Sequence, residues 1–238
     1  MSGRLDAIRR FFRRGRAWLV YDLPVIASPV DWDASEISNN LGVVALSDAE
    51  MAKREITATV IGELELPTGE IVACDPLITG LERPAFSRKV RPGRYPVTML
   101  EAQGHVAVAI LRFGHGSPMH WELATFASDR PPVYKSEFFE FIVDDAVASF
   151  MDKSVLTLMS DTEELDDYLA DVVYSLDRFG MDNPIEGNPV NVAMCHTGYG
   201  DGAYRSFWGL DASGEPLLLM TDFEVLENAD GRKSNQAN

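Results

Sequence analysis

The chain has 238 residues, 46% of them hydrophobic and 24% charged, which is enough apolar content for one large domain or two small ones. Its 37 acidic residues outnumber its 21 basic ones and give a formal net charge of −16. A surface of this charge repels nucleic-acid phosphate, so we expect no nucleic acid as a partner and predict a basic protein partner instead.

The first 19 residues differ from the rest of the sequence. Six arginines stand against one aspartate here, so the remainder of the chain is five charges more acidic than the whole. Apolar residues recur at helical spacing in this segment, which predicts a basic amphipathic helix. We expect this helix to lie on the acidic body, and the alternative is peripheral contact with a membrane surface.

Strand patterns follow an irregular connector over residues 20–40. We predict strands over residues 41–46 and 55–66, the second with alternating apolar positions. The turn signal Pro67-Thr68-Gly69 predicts that residues 71–74 pair back on 55–66 as a hairpin. Further strands are predicted over residues 95–100, 105–113 and 120–126. The segment 134–159 suits either strand or helix, with a short helix possible over residues 144–151.

A long amphipathic helix is predicted over residues 161–179. Ser160 and Glu163 have the spacing of a capping box, apolar residues form one stripe, and Gly180 suits the left-handed residue that ends a helix. Its opposite face is acidic, and we predict that this face binds the basic partner. The residues of that face are Glu163, Glu164, Asp166, Asp167, Asp171 and Asp177.

The last elements are a strand over residues 191–195 and a hairpin within 197–226. Asp211 and Gly214 have the positions they take in a type I turn, which predicts the hairpin turn there. The sequence therefore predicts an α+β fold with a mostly antiparallel sheet, rolled or sandwich-like. We expect one domain over residues 20–227 and a disordered tail over 228–238.

Catalytic signatures are weak in this sequence. It has no zinc-binding HExxH, no GxSxG elbow, no P-loop and no dinucleotide fingerprint, so we predict no metal and no cofactor. Cys195 and His196 are adjacent in a strand and would point to opposite faces, which disfavours a nucleophile–base pair. Turn carboxylates and aromatic side chains give an alternative ligand site. Its candidate residues are Asp75, Asp152, Asp201, Tyr204, Trp208 and Asp222.

Several stretches taken together resemble a bacterial family of unknown function, the one numbered 4241, over about residues 65–226. They are VACDPL (72–77), PGRYPV (92–97), AILRF (109–113), WELA (121–124), IVDDAVASFMD (142–152), GYGDGAYRSFWGLDASGE (198–215) and TDF (221–223). The resemblance implies a bacterial origin and a single folded unit, and it implies no mechanism.

The main functional hypothesis is therefore a non-catalytic acidic binding protein, of the kind that inhibits a cationic toxin as an immunity protein. The alternative is an enzyme, or a protein that binds a small ligand or metal, with its site near residues 199–222. The N-terminus lacks the apolar core of a secretory signal, and no apolar run is long enough to span a membrane. We therefore expect a cytoplasmic protein.

Overall fold

A computed structural model describes residues 38–77, 84–127, 140–158 and 170–226. The basic helix predicted over residues 1–19 and the tail 228–238 lie outside these ranges, as do Glu163, Glu164, Asp166 and Asp167. The described residues form eleven strands. They are β1 (Thr57–Leu66), β2 (Ile71–Cys74), β3 (Gly93–Ala102), β4 (His105–Arg112), β5 (His120–Leu123), β6 (Glu140–Val143), β7 (Val147–Asp152), β8 (Phe179–Asp182), β9 (Val192–His196), β10 (Gly202–Leu210) and β11 (Pro216–Asp222).

Two antiparallel sheets contain these strands. The large sheet has the order β1-β3-β4-β11-β10-β5. Strands β5 and β6 pair with the same edge of β10, β5 with residues 207–210 and β6 with residues 202–205. The small sheet has the order β2-β7-β9-β8. The prediction of a mostly antiparallel sheet is confirmed.

One apolar core is shared by the two sheets. Buried side chains from β1, β4 and β10 of the large sheet and from β2, β7 and β9 of the small sheet belong to it, including Leu64, Trp208, Ile71 and Phe150. Burial of such side chains is the main favourable term in folding, about 1.5 to 3 kcal/mol for each. The sheets therefore pack face to face as in a sandwich.

Short helices cover the outer faces. A 3₁₀ helix at Leu41–Ala45 and helix α1 (Asp48–Lys53) lie on the large sheet, where Leu41 and Val43 join a second core cluster. Helix α2 (Lys153–Leu158) and the helical residues 170–175 cover the small sheet through Val155, Leu156 and Val173. None of the helices in the described ranges is long and apolar enough to span a membrane.

The hairpin predicted near the C-terminus is confirmed. Strands β10 and β11 pair antiparallel, and the Asp211 carboxylate accepts hydrogen bonds from the backbone N–H groups of Ser213 and Glu215 at 2.7 and 3.0 Å. Inside the hairpin the buried hydroxyls of Ser206 and Thr221 bond to each other across the two strands at 2.7 Å. The hairpin lies at the centre of the large sheet because β4 adds to β11 and β5 and β6 add to β10.

Two predictions of local structure are wrong, and the choice between strand and helix left open for residues 134–159 is resolved over residues 147–152. Leu41–Ala45 form the 3₁₀ helix and not a strand, and Leu41 and Val43 are buried against the large sheet in the second core cluster. Strand β2 does not pair back on β1 but joins β7 in the other sheet, with Cys74 opposite Ser149. Residues 147–152 form strand β7, and the short helix starts only at residue 153.

The long helix predicted over residues 161–179 is also corrected at its C-terminal end. Helical structure is present over residues 170–175 and ends there, and Phe179 opens strand β8. Gly180 is a strand residue, paired with Met194, and is not a helix-ending residue. Residues 179–182 pair with β9 although the sequence has helical periodicity up to residue 179. The sheet gives hydrogen-bond partners to backbone groups that would be unpaired at the end of a helix.

The turn after β1 gives a direct test of the fold. Gly69 has φ +72°, and a methyl group there would lie 2.0 Å from the carbonyl oxygen of Val90. Gly214 has φ +86° with no atom within 4 Å of such a methyl. Both substitutions by alanine cost left-handed strain, and we expect Gly69→Ala to lose about 1 to 3 kcal/mol more unfolding free energy from the clash. Urea denaturation measures both variants, and equal losses would contradict the packing described for this turn.

Candidate functional site

The topology of the small sheet brings one end of its four strands together. Strands β2 and β9 end here and strands β7 and β8 begin here, because neighbouring strands are antiparallel. Acidic residues precede or follow each strand there. We call this set the acidic end, and it consists of Asp75, Asp144, Asp145, Asp177 and Asp201.

Asp75 is the buried member of the acidic end. Its side chain is fully buried, and its carboxylate accepts hydrogen bonds from the backbone N–H groups of Leu77, Asp144 and Asp145 at 2.9, 3.0 and 2.9 Å. Backbone N–H donors satisfy a buried carboxylate and offset the cost of removing it from water. Asp75 therefore ties the end of β2 to the turn between β6 and β7.

Asp201 holds the same turn from the other side. Its carboxylate accepts a hydrogen bond from the backbone N–H of Ala146 at 3.0 Å. Ala146 has φ +55°, a left-handed conformation that a residue with a Cβ takes at some cost. Two carboxylates thus bond to three successive N–H groups and fix the backbone of the turn.

Like charges remain close together after these bonds are made. Asp144 is exposed and Asp145 is half-buried beside Asp75 and Asp201. Burial raises the pKa of Asp145, and the negative charges of Asp75, Asp144 and Asp201 raise it further. The acidic end therefore holds repulsion that a cation would relieve.

The basic residue at this end is already paired. Arg178 follows Asp177, and its guanidinium donates to the Glu101 carboxylate of the large sheet at 2.5 Å. That hydrogen bond and the charge of Glu101 raise the pKa of Arg178. The backbone carbonyl of Arg178 accepts from the N–H of His196, and the next residue, Thr197, donates to Ala146. Asp177 and the acidic turn therefore lie at the same end of the small sheet.

Two other predicted ligand residues lie elsewhere. Asp152, at the far end of β7, accepts from the backbone N–H and hydroxyl of Thr68 and from the N–H of Ser154. Asp222, at the end of β11, accepts from the Ser38 hydroxyl at 2.7 Å and the Asn40 side-chain amide at 2.9 Å. Each carboxylate serves a turn or segment of its own.

The two aromatic candidates are core residues. The Tyr204 hydroxyl donates to the carbonyl of Gly200 at 2.6 Å, which ties it to the loop that carries Asp201. Trp208 packs against the rings of Phe86 and Phe113. Among the six predicted ligand residues, the structure thus brings together Asp75 and Asp201, with Tyr204 bonded to the loop beside them.

Of the predicted partner-binding residues, Asp171 and Asp177 are described, and both are exposed. Asp145 lies at the centre of the acidic end and is not among the site residues predicted from the sequence. A signal was present, because two consecutive aspartates between apolar strands indicate a charged turn. The sequence does not predict that β7 pairs with β2 and β9, and it is this pairing that places the turn beside Asp75 and Asp201.

Reactive groups in the described part of the chain are few. The Cys195 thiol is fully buried, and burial raises its pKa, so that it stays protonated. The His196 ring contacts the carbonyl oxygen of Leu176 at 3.3 Å. Within the described ranges, no three His, Cys, Asp or Glu side chains are placed to hold a metal ion.

Comparison with known proteins gives a family. Residues 64–221 match the model of DUF4241, a family described as a protein of unknown function, and the chain belongs to this family. The match covers every residue of the acidic end. No curated protein and no solved structure matches the chain.

Replacement of Asp75 tests its role at the turn. Asp75→Asn puts an amide N–H₂ where one of the N–H groups needs an acceptor, and we expect a loss of about 2 to 3 kcal/mol in unfolding free energy. Asp211→Asn is the matched control, because Asp211 also accepts two backbone N–H bonds but lies where water can replace them. Chemical denaturation should give a smaller loss for the control. Equal losses would contradict the anchoring role of Asp75.

The pKa of Asp145 predicts a pH dependence. Because its pKa is higher in the folded chain than in the unfolded chain, folding favours the protonated form. Stability from this group is greatest below its unfolded-state pKa and is lost as pH rises through the folded-state pKa. Asp145→Asn, which mimics the protonated form, is therefore expected to be more stable than the wild type at neutral pH. The difference should close in urea titrations at about pH 3, and a difference that does not change with pH would contradict this.

Proposed function

We propose that this protein is a non-catalytic acidic binding protein that engages a basic protein partner through the acidic end. We further propose that the partner is a cationic toxin and that the chain inhibits it in the cytoplasm, as an immunity-type protein does.

The meeting of four carboxylates at one turn carries this proposal: Asp75 and Asp201 bond to the backbone of the turn that bears Asp144 and Asp145, and burial and their charges raise the pKa of Asp145. Carboxylates that repel one another at a fixed turn are a costly arrangement, and a lysine or arginine from a partner lowers that cost by pairing with them. Asp144 and Asp145 are the members best placed for this role, because no side chain of the described residues pairs with either carboxylate. Asp75 and Asp201 hold their backbone and therefore preorganise the surface.

The net charge supports the same proposal at longer range. At −16 the protein attracts a cationic partner before contact and speeds the encounter, an effect that salt screens. Asp171, in the helical residues that cover the small sheet, and Asp177, in the bend after them, add exposed negative charge. Association is thus expected to be fast at low salt and to weaken as salt is added.

The placement of the other candidate residues supports a binding role over the alternative. Asp152 and Asp222 are used in separate turns, and Tyr204 and Trp208 are packed in the core. A metal or acid–base site near residues 199–222 needs several of these groups to converge. The acidic end is the place where carboxylates do converge in the described part of the chain, and this supports the binding of a cationic side chain there.

Charge variants test the proposal. A basic partner captured from cell extract at low salt is purified, and its affinity is measured for the wild type and for Asp144→Asn/Asp145→Asn. We expect affinity to fall by about tenfold or more, since two charge pairs are lost. The matched control is Glu186→Gln/Glu215→Gln, which removes two exposed charges far from the acidic end, and it should leave affinity nearly unchanged.

Two further measurements separate the outcomes. If the purified partner is a toxin, its activity should fall when the wild-type chain is added and recover with the double Asp variant. If the control pair lowers the affinity by the same factor, the interaction depends on net charge alone, and this would contradict a defined binding surface. The absence of any basic partner would contradict the proposed function.

A further inference from the structure

Strand β1 is an outermost strand of the large sheet, and its first half is exposed on both faces. Among the described strands, β1 pairs with β3 alone, so its other edge has no strand beside it. The side chains of Thr57 and Ala58 are exposed, and Val60 is 66% exposed. We call residues 57–61 with this edge the open edge.

The backbone of the open edge directs hydrogen-bonding groups away from β3. Hydrogen-bonded and non-hydrogen-bonded pairs alternate along an antiparallel ladder. The Glu63 carbonyl points outward, where it accepts from the Asn191 amide at 2.8 Å, and Glu63 stands opposite Pro96, which has no N–H to donate. The pairs two and four residues further along β3 belong to Val60 and Ala58, because the bulge in β1 adds one residue there. Their N–H and C=O groups therefore point outward too, and no described residue bonds to them.

The other outer strands of the described fold are protected, whereas the open edge is not. Edge strands of natural proteins carry charges, prolines or covering segments that prevent pairing with a second chain. Strands β5, β6 and β8 each include a carboxylate, and the backbone N–H of Phe86 bonds to β2 at Ile71. Residues 57–61 are Thr-Ala-Thr-Val-Ile, with neither charge nor proline. This contrast indicates an edge that accepts another strand.

We propose that the open edge pairs with the same edge of a second copy of this chain, so that the two large sheets become one antiparallel sheet about a two-fold axis. With Thr59 of both copies on the axis, Ala58 of each copy stands opposite Val60 of the other. These residues carry the outward N–H and C=O groups, so each pair exchanges both of its hydrogen bonds. The side chains match as well, because hydroxyl meets hydroxyl at Thr59 and aliphatic meets aliphatic beside it.

Charge favours this edge as the place where two copies meet. Each copy has a net charge of −16, so the copies repel one another in general. The open edge has no charged residue, so pairing there places no like charges directly opposite each other. A basic partner finds no counter-charge at this edge, whereas a second copy finds a matching strand. The paired stretch is short, so the interface is small and the dimer forms at about 100 µM or above.

Sedimentation velocity measures the self-association. We expect the wild type to shift from monomer towards dimer between about 10 µM and 1 mM, and the shift to grow with added salt, which screens the repulsion between copies. A basic partner is expected to show the reverse salt effect, so the two proposals fail separately. Val60→Lys should raise the dissociation constant of the dimer about tenfold or more, because it brings like charges to the axis. Met119→Lys is the matched control, since Met119 is 67% exposed outside the open edge, and it should not weaken the dimer.

Amide hydrogen exchange locates the interface. The N–H groups of Ala58 and Val60 should exchange rapidly in dilute protein and slowly in the dimer, while that of Thr59, which faces β3, is slow in both. Ala58→Pro removes an outward N–H that β3 does not use, so it should abolish the dimer and leave the unfolding free energy nearly unchanged.

Three results would overturn the proposal. The first is a wild type that stays monomeric at about 1 mM. The second is a dimer that Val60→Lys and Ala58→Pro leave as stable as before. The third is slow exchange at Ala58 and Val60 in dilute, monomeric protein, which would mean that another segment of the same chain covers the edge.

Discussion

The crossing of the chain between its two sheets depends on a buried carboxylate. Strand β6 belongs to the large sheet and β7 to the small one, so the turn of residues 144–146 is where the chain changes sheets. Asp75 reaches this turn from the end of β2, and Asp201 reaches it from the link between β9 and β10. Because both anchors accept backbone N–H bonds, they fix the backbone of the turn where the chain passes from β6 to β7.

This constraint also explains the acidic end. Because the Asp75 carboxylate accepts from the backbone N–H groups of Asp144 and Asp145, the side chains of these two residues lie close to it. Asp144 and Asp145 take those positions, and the repulsion is not neutralised within the described residues, because Arg178 is engaged with Glu101. A structural requirement and a charged surface thus share one place.

Local patterns predicted part of this fold. The runs that became β4 and β10 were predicted because they are long and apolar or alternate clearly, and the turn at Asp211 was predicted because its side chain bonds to its own loop. Strand β2 was placed in the wrong sheet, since its four residues are buried on both faces and its partner is about 75 residues away in sequence. Such pairings depend on tertiary packing, and a short apolar run does not encode its partner.

The same limit applies to the candidate site. Asp75 and Asp201 were selected from the sequence, but so were Asp152 and Asp222, which have the same setting at a strand end and lie elsewhere in the fold. The consecutive aspartates 144 and 145 indicate a charged turn, but only the pairing of β7 with β2 and β9 places Asp145 beside Asp75 and Asp201. The unpaired indole N–H of Trp208 is likewise a result of packing, because an aromatic residue in an alternating strand predicts only that its side chain lies in the core.

We propose that the acidic end contacts a basic protein partner. Carbodiimide cross-linking joins a carboxylate to a lysine that touches it, and mass spectrometry of the cross-linked complex identifies the residues. Our account predicts cross-links from Asp144, Asp145 and Asp177 to lysines of the partner. Cross-links that arise instead from Glu186 and Glu215, with none at the acidic end, would contradict it.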